Sequence, residues 1–174
     1  RGFSFMRDGA VDMRMDTKSP LSAYEVINHY PKAELEFLLR EYGEIHEYKK
    51  MAELICNARA KEPIKSAKEL SALVARMGSK KKIHPSTLLF QAIRIEVNNE
   101  LGVLAEFLES IKNADFEECI VGIISFHSLE DRIVKQTFKP GQKVKEGDLL
   151  FSVDPRAYDE AIIDAQAKLA ESEA

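Results

Sequence analysis

From Pro20 to about Lys112 the apolar residues recur at three- and four-residue spacing, and Pro31, Gly43, Pro63 and Gly78 interrupt the pattern. This rhythm dictates a cluster of short helices, because each stretch between breaks is helix-length and gathers its large side chains on one face. Ser22-Ala-Tyr-Glu25 and Ser66-Ala-Lys-Glu69 are capping-box sequences, so helices are expected from Ser22 to Pro31 and from Ser66 to Gly78. Further helices are predicted over 33–42, with Leu35, Leu38 and Leu39 inward, and over about 45–60, with Met51, Ala52, Ile55 and Cys56 inward. His84-Pro85 opens a strongly apolar helix through Phe90, Ile93 and Val97, followed by another segment to about Lys112.

After this cluster the period changes. Glu118-Cys-Ile-Val-Gly-Ile-Ile-Ser125 is a continuous, β-branched run of strand length, the pattern of a strand buried on both faces of an α/β sheet. It turns through Phe126-His127 into Ser128-Leu-Glu-Asp131, whose Ser and Asp spacing resembles a capping box, and a helix is expected to about Thr137. A second change falls between Phe138 and Lys139. Pro140-Gly141 and Glu146-Gly147 are turn pairs around Val144, 149–153 reads as a short strand, and Asp154-Pro155 opens a last helix. The fold class read from the pattern is thus α/β but mostly α, ending in a β-hairpin-like piece and a helix. Arg1 and Ala174 both fall in mid-pattern, so both ends read as cut.

Charge narrows the function classes. The chain of 174 residues carries 25 Lys+Arg against 29 Asp+Glu, a net −4, so any nucleic-acid contact must use a local patch and not a global basic field. Residues 139–174 hold five basic and eight acidic groups and are the acidic part. Cys56 and Cys119 have no C-x-x-C or His partner at ligand spacing, so no metal site is expected and both read as buried structural thiols. No run of 18 apolar residues suggests a membrane span. No G-x-G occurs among the eight glycines, so the chain has no glycine-rich nucleotide loop.

Three segments offer chemistry. In the turn after the apolar run, Ser125, His127, Glu130 and Asp131 stand where open α/β folds place ligand-contacting groups, with Phe126 and Ser128 beside them, and His127 could take or give a proton near neutral pH. The alternative is that Ser128 and Asp131 only cap the helix and His127 only bonds the backbone. In the opening loop, Phe3, Phe5, Arg7, Asp12 and Arg14 combine aromatics and arginines in the way that suits an unpaired RNA base. Its alternative is a loop whose apolar residues enter the core while its charges pair with each other. Lys80, Lys81, Lys82 and His84, with Arg76, form the one dense basic stretch, either a phosphate patch or a solvated linker.

Residues 1–138 closely resemble the later portion of the bacterial small-subunit rRNA cytosine-N4 methyltransferases, the ribosomal RNA methyltransferase H family. The resemblance is carried by Arg1-Gly-Phe-Ser-Phe, Asp12-Met-Arg-Met-Asp16, His84-Pro-Ser-Thr, Phe90-Gln-Ala-Ile-Arg-Ile-Glu-Val-Asn98, Glu100-Leu-Gly102 and Ser125-Phe-His-Ser-Leu-Glu-Asp-Arg-Ile-Val134. It implies part of a Rossmann-like, S-adenosylmethionine-dependent methyltransferase with a helical domain inserted, the insert being 18–103 and the α/β parts 1–17 and 104–138. It further implies a cytoplasmic enzyme acting on cytidine N4 in small-subunit rRNA, the small ribosomal subunit as partner, and most cofactor contacts upstream of Arg1, so that no cofactor residue is carried over. Residues 139–174 are similar to the lipoyl-like half-motif of periplasmic adaptor, or membrane fusion, proteins, through Pro140-Gly-Gln-Lys-Val-Lys-Glu-Gly-Asp-Leu-Leu150 and Asp154-Pro-Arg156. That likeness implies efflux or secretion components as partners and an adaptor fragment, or a chimera without joint function, as the alternative to the enzyme.

Overall fold

The computed structural model describes residues 3, 9–75, 77, 83–115 and 121–138. Among them are seven helices: α1 Ala23–His29, α2 Lys32–Glu41, α3 Tyr48–Arg59, α4 Ala67–Val74, α5 Pro85–Asn98, α6 Glu100–Asn113 and α7 Ser128–Thr137. The hairpin-like piece, the last strand and the last helix expected beyond Lys139 lie outside the described residues, as does Cys119.

The helix starts follow the capping chemistry. Ser22 Oγ accepts the Glu25 amide, but Glu25's carboxylate turns to His29 Nδ1 at 2.6 Å. Ser66 closes the full box: its Oγ accepts from Glu69 N while Glu69 Oε2 accepts from Ser66 N. The backbone amides of Lys65 and then Ser66, both donating to Oε2, hold the Glu69 carboxyl below its usual range. At α5, His84 Nδ1 accepts from Ser86 N and Pro85 fills the first turn, where a missing N–H costs nothing. The third helix starts at Tyr48, three residues later than its apolar period, because Glu44 takes the left-handed conformation (φ 47°) and Ile45 folds inward as part of the loop.

Gly43 is required at that loop. A Cβ there would stand 2.8 Å from the Leu39 carbonyl oxygen, a backbone atom that has no rotamer to give way. The α5–α6 corner is the left-handed Asn99 (φ 48°), a residue type that tolerates this conformation. Its side chain lies over Gly102, where a Cβ would come within 2.4 Å of the amide oxygen.

Two apolar cores result. The larger joins α1–α5 through Ile27, Leu35, Leu38, Leu39, Met51, Ile55, Leu70, Leu89 and Ile93, and draws in Val11 and Met13 from the N-terminal loop. Polar ties lock it: Arg59 donates to the carbonyls of Ile27 and Tyr30 at the end of α1, and Asn28 exchanges two bonds with the backbone of Ile64. The smaller core is Leu108, Val134 and Phe138, where α6 packs on α7. Glu44 bridges the two, accepting from Ser128 Oγ and Arg132 Nη2.

Three expectations are corrected. The run 118–125 is not a buried strand where it is described: 121–125 carry no ladder, and Ile124 is 81% exposed. A strand apolar on both faces needs neighbours on both sides, and the described residues contain no strand, only a single antiparallel bridge between Ala10 and Ser66. Ser128 is the first residue of α7 and not its cap, a role taken by His127. Cys56 is a free thiol of intermediate exposure, packed against the larger core without being buried in it.

Candidate base-binding site

The site begins with a loop strapped to the bundle. Val11 N donates to the Lys65 carbonyl, Ala67 N to that of Gly9 and Ala23 N to that of Asp12, fixing 9–12 between α1 and α4. Met13 is fully buried at φ 58°, a conformation a long side chain adopts only when its surroundings impose it. Asn98 on α5 supplies the constraint, donating to the Met13 carbonyl at 2.9 Å and accepting the Met15 amide at 2.8 Å.

That clamp brings the loop against α5 and against the turn entering α7. Phe3, Met13, Thr87, Phe90, Gln91, Arg94, Phe126 and His127 line a cavity of about 230 Å3. It is smaller than the roughly 300–1,000 Å3 of drug-sized pockets and suits one small planar group. Its aromatic rim is open to solvent, with Phe126 86% and Phe3 45% exposed. Arg94 is held as a fork by Glu100, Nε to Oε1 at 2.8 Å and Nη2 to Oε2 at 3.1 Å.

His127 is the most constrained polar group here. Its side chain is 8% exposed, Nδ1 accepts the Glu130 amide at 3.4 Å, and Nε2 is buried with no hydrogen-bond partner among the described residues. The nearest carboxylate oxygen, Glu130 Oε1, stands 3.7 Å from Nε2, while Glu130 Oε2 accepts the Phe126 amide at 2.7 Å. Glu100, His127 and Glu130 bring ligand-type atoms within 4.8 Å of one another, a metal-like grouping that residue spacing did not suggest. The donor set argues against an ion: Arg94 occupies both Glu100 oxygens, and a ring whose Nδ1 accepts an amide carries its proton on Nε2.

The other candidates are dispersed. Asp12 and Arg14 pair with each other at 2.7 Å, and Arg14 also donates to the carbonyls of Thr17 and Ser19, so these charges fold the loop. Arg14's hydrogen bond is the main reason the Asp12 carboxyl lies below its usual range. Asp131 is bonded to Lys135 at 2.7 Å, Ser125 is exposed, and His84 caps α5. Phe5, Arg7 and Lys80, Lys81 and Lys82 lie outside the described residues. Residue patterns missed Gln91, Arg94, Asn98 and Glu100 as site builders. Gln91, Arg94 and Asn98 recur at helical spacing on α5, a signal hidden by the helix's apolar face.

The family model described as the MraW methylase family matches residues 1–162. The chain belongs to the MraW methylase family. Among its relatives, the ribosomal RNA small subunit methyltransferase H of Helicobacter pylori (strain J99) is 55% identical over 139 residues, 80% of this chain and 44% of that protein. The proteins of the same name from Sulfurovum sp. (strain NBC37-1) and Campylobacter jejuni (strain 81-176) are each 54% identical, covering 80% and 82% of this chain and 45% and 46% of their own lengths. The chain therefore spans less than half the length of these curated relatives. The MraW methylase match passes through the change of pattern after Phe138, and nothing in these comparisons supports the adaptor resemblance of 139–174.

Proposed function

We propose that this MraW methylase family chain forms the target side of an enzyme that transfers a methyl group from S-adenosylmethionine to N4 of a cytidine in small-subunit ribosomal RNA. The observation that carries the reading is the cavity, which unites the loop (Phe3, Met13), α5 (Gln91, Arg94) and the turn (Phe126, His127) around one base-sized space. Exposed aromatics at its rim suit stacking on an unpaired base, and RNA modification requires the base to be splayed out of its helix.

The described residues do not fit S-adenosylmethionine itself. They offer no sheet edge with a following glycine loop, and the cavity is too small for an adenosyl and a methionyl group together. Cofactor contacts are expected from the part of the relatives that this chain does not span, and no step through the cofactor is derived. What this chain supplies is placement. Phe126 and Phe3 stack on the base, and Arg94, fixed by Glu100, steers the backbone phosphate. Glu130 is the carboxylate best placed to take the proton that N4 sheds, since Asp131 is tied to Lys135. Phe5, Arg7, Lys80, Lys81 and Lys82 remain proposed RNA contacts, and 18–103 the proposed substrate-side insert between the α/β parts 1–17 and 104–138. The small ribosomal subunit is the implied partner and the cytoplasm the implied compartment. No described helix is long and apolar enough to cross a membrane.

The test is a graft. The Helicobacter pylori relative carrying residues 1–138 of this chain in place of its matching segment is given small ribosomal subunits and S-adenosylmethionine with a labelled methyl group. The expected result is N4-methylcytidine on nuclease digestion of the RNA. A folded graft that leaves the RNA without N4-methylcytidine contradicts the reading.

A further inference from the structure

Resting on that reading, we propose that His127 is a fixed hydrogen-bond donor that reads N3 of the target cytosine, and not the proton acceptor of the reaction. Two independent observations meet at this residue. The first is its tautomer. Nδ1 sits at the N-cap of α7 and accepts the Glu130 amide, so the neutral ring must hold its single proton on Nε2. A ring fixed this way presents a donor and has no lone pair left to take a proton from a substrate amine.

The second is that this donor is buried and unused. Nε2 finds no hydrogen-bond partner among the described residues although the side chain is 8% exposed, and Glu130 Oε1, at 3.7 Å, is beyond hydrogen-bond range. A buried donor left unmade is costly, and such groups are usually completed by a ligand or a water. His127 lines the same cavity as Phe126 and Phe3, and a base stacked there is taken to displace the contacts that cover Nε2 and to present its N3 edge to it.

The donor's sign selects the base. Cytosine presents an unprotonated N3 beside the carbon that carries N4, and Nε2–H can donate to it. Uracil carries a proton at N3 and would face the same donor with another donor. A hydrogen bond to N3 draws electron density from the ring, so the gain is alignment of N4 and rejection of uracil, not a more nucleophilic amine. A site built to satisfy one polar edge discriminates strongly against a base that leaves its own groups unpaired.

The substitution that separates the two roles of His127 is His127→Asn. The shorter amide can keep an acceptor at the Nδ1 position, preserving the cap, while removing the donor at Nε2. The four histidines of the full 174-residue chain make two-bond 15N–1H imidazole spectra readily assignable. With cytidine 5′-monophosphate and uridine 5′-monophosphate as probes, His127 should show the Nε2–H form. Its Nε2 resonance should shift with the cytidine nucleotide, which should bind more tightly than the uridine nucleotide. The His127→Asn chain should keep its helical circular dichroism and bind the cytidine nucleotide roughly five- to tenfold more weakly, the loss expected for one hydrogen bond. An Nδ1–H ring, equal binding of the two nucleotides, or undiminished binding by a folded His127→Asn chain overturns the inference. Failure here is separable from failure of the proposed function. A graft that makes N4-methylcytidine while the nucleotide leaves His127 unmoved refutes the donor role alone, and a graft that makes none refutes the methylation reading whatever His127 does.

Discussion

The α1–α5 bundle and the α6–α7 pair are built from helices of similar length, yet they are held by different means. The bundle buries large side chains from five helices, with Val11, Met13, Ile45, Ile64 and Met77 from the segments between and before them, in one core. The pair gathers only three buried residues into its own core, with Ile111 and Leu129 buried outside it, and Val103, Phe107, Ile124 and Phe126 are exposed. A helical period is satisfied by near neighbours in sequence, whereas the apolar run before α7 meets no partner strand among the described residues. The base-sized cavity is lined from both sides, by Thr87, Phe90, Gln91 and Arg94 of α5 and by Phe126 and His127 before α7.

The comparison breaks most sharply at Ile93. Ile93→Ala opens a hole in the full core and should cost about 2–5 kcal/mol in urea unfolding, with the loss shared by all of α1–α5. A loss confined to α5 would show that the bundle is not one cooperative unit. Gly43→Ala should come next, at about 1–3 kcal/mol, because its Cβ meets the Leu39 carbonyl and the chain must shift. A neutral result would mean that the α2–α3 loop relaxes freely. Glu44→Ala removes two described bonds between α7 and the bundle. At this exposed site about 0.2–1 kcal/mol is expected, read as faster amide exchange in α7 with α1–α5 unchanged. Unchanged α7 protection would mean that the small core holds the pair unaided.

The smallest effect is with pH. Asp12's folded pKa lies below its ordinary value, so its pairing with Arg14 stabilises fully above that value, near 3.8, and is lost as pH falls through the depressed one. Asp12→Asn should flatten the acid limb of the stability curve below about pH 4, and an unaltered limb would deny the pair its role in folding the loop.

Much of the bundle was legible in advance because its causes are local. Ser22, Ser66 and His84-Pro85 mark helix starts, and Leu35, Leu38 and Leu39 fall on one face by spacing alone. The start of α3 was not, since it depends on Glu44 adopting a left-handed backbone, which no propensity indicates. At the site, His127 stood out by position, but its cap on the Glu130 amide and its buried Nε2 are set by the geometry of the turn, which the residue pattern does not state. Asp12 and Arg14 read either as RNA contacts or as charges that pair with each other, and the geometry has them paired. Asn98, acting on Met13 from 85 positions away, was beyond any local pattern.

The claim at the centre of this account is that the cavity between the loop, α5 and the α7 turn receives a base of ribosomal RNA. Ultraviolet cross-linking of the full chain to single-stranded small-subunit ribosomal RNA, with mass spectrometry of the linked peptides, tests it. Adducts are expected on the peptides carrying Phe126 and Phe3, suppressed by cytidine 5′-monophosphate. Adducts concentrated instead on the outer faces of α2 and α3, with Phe126 unmodified, would contradict it.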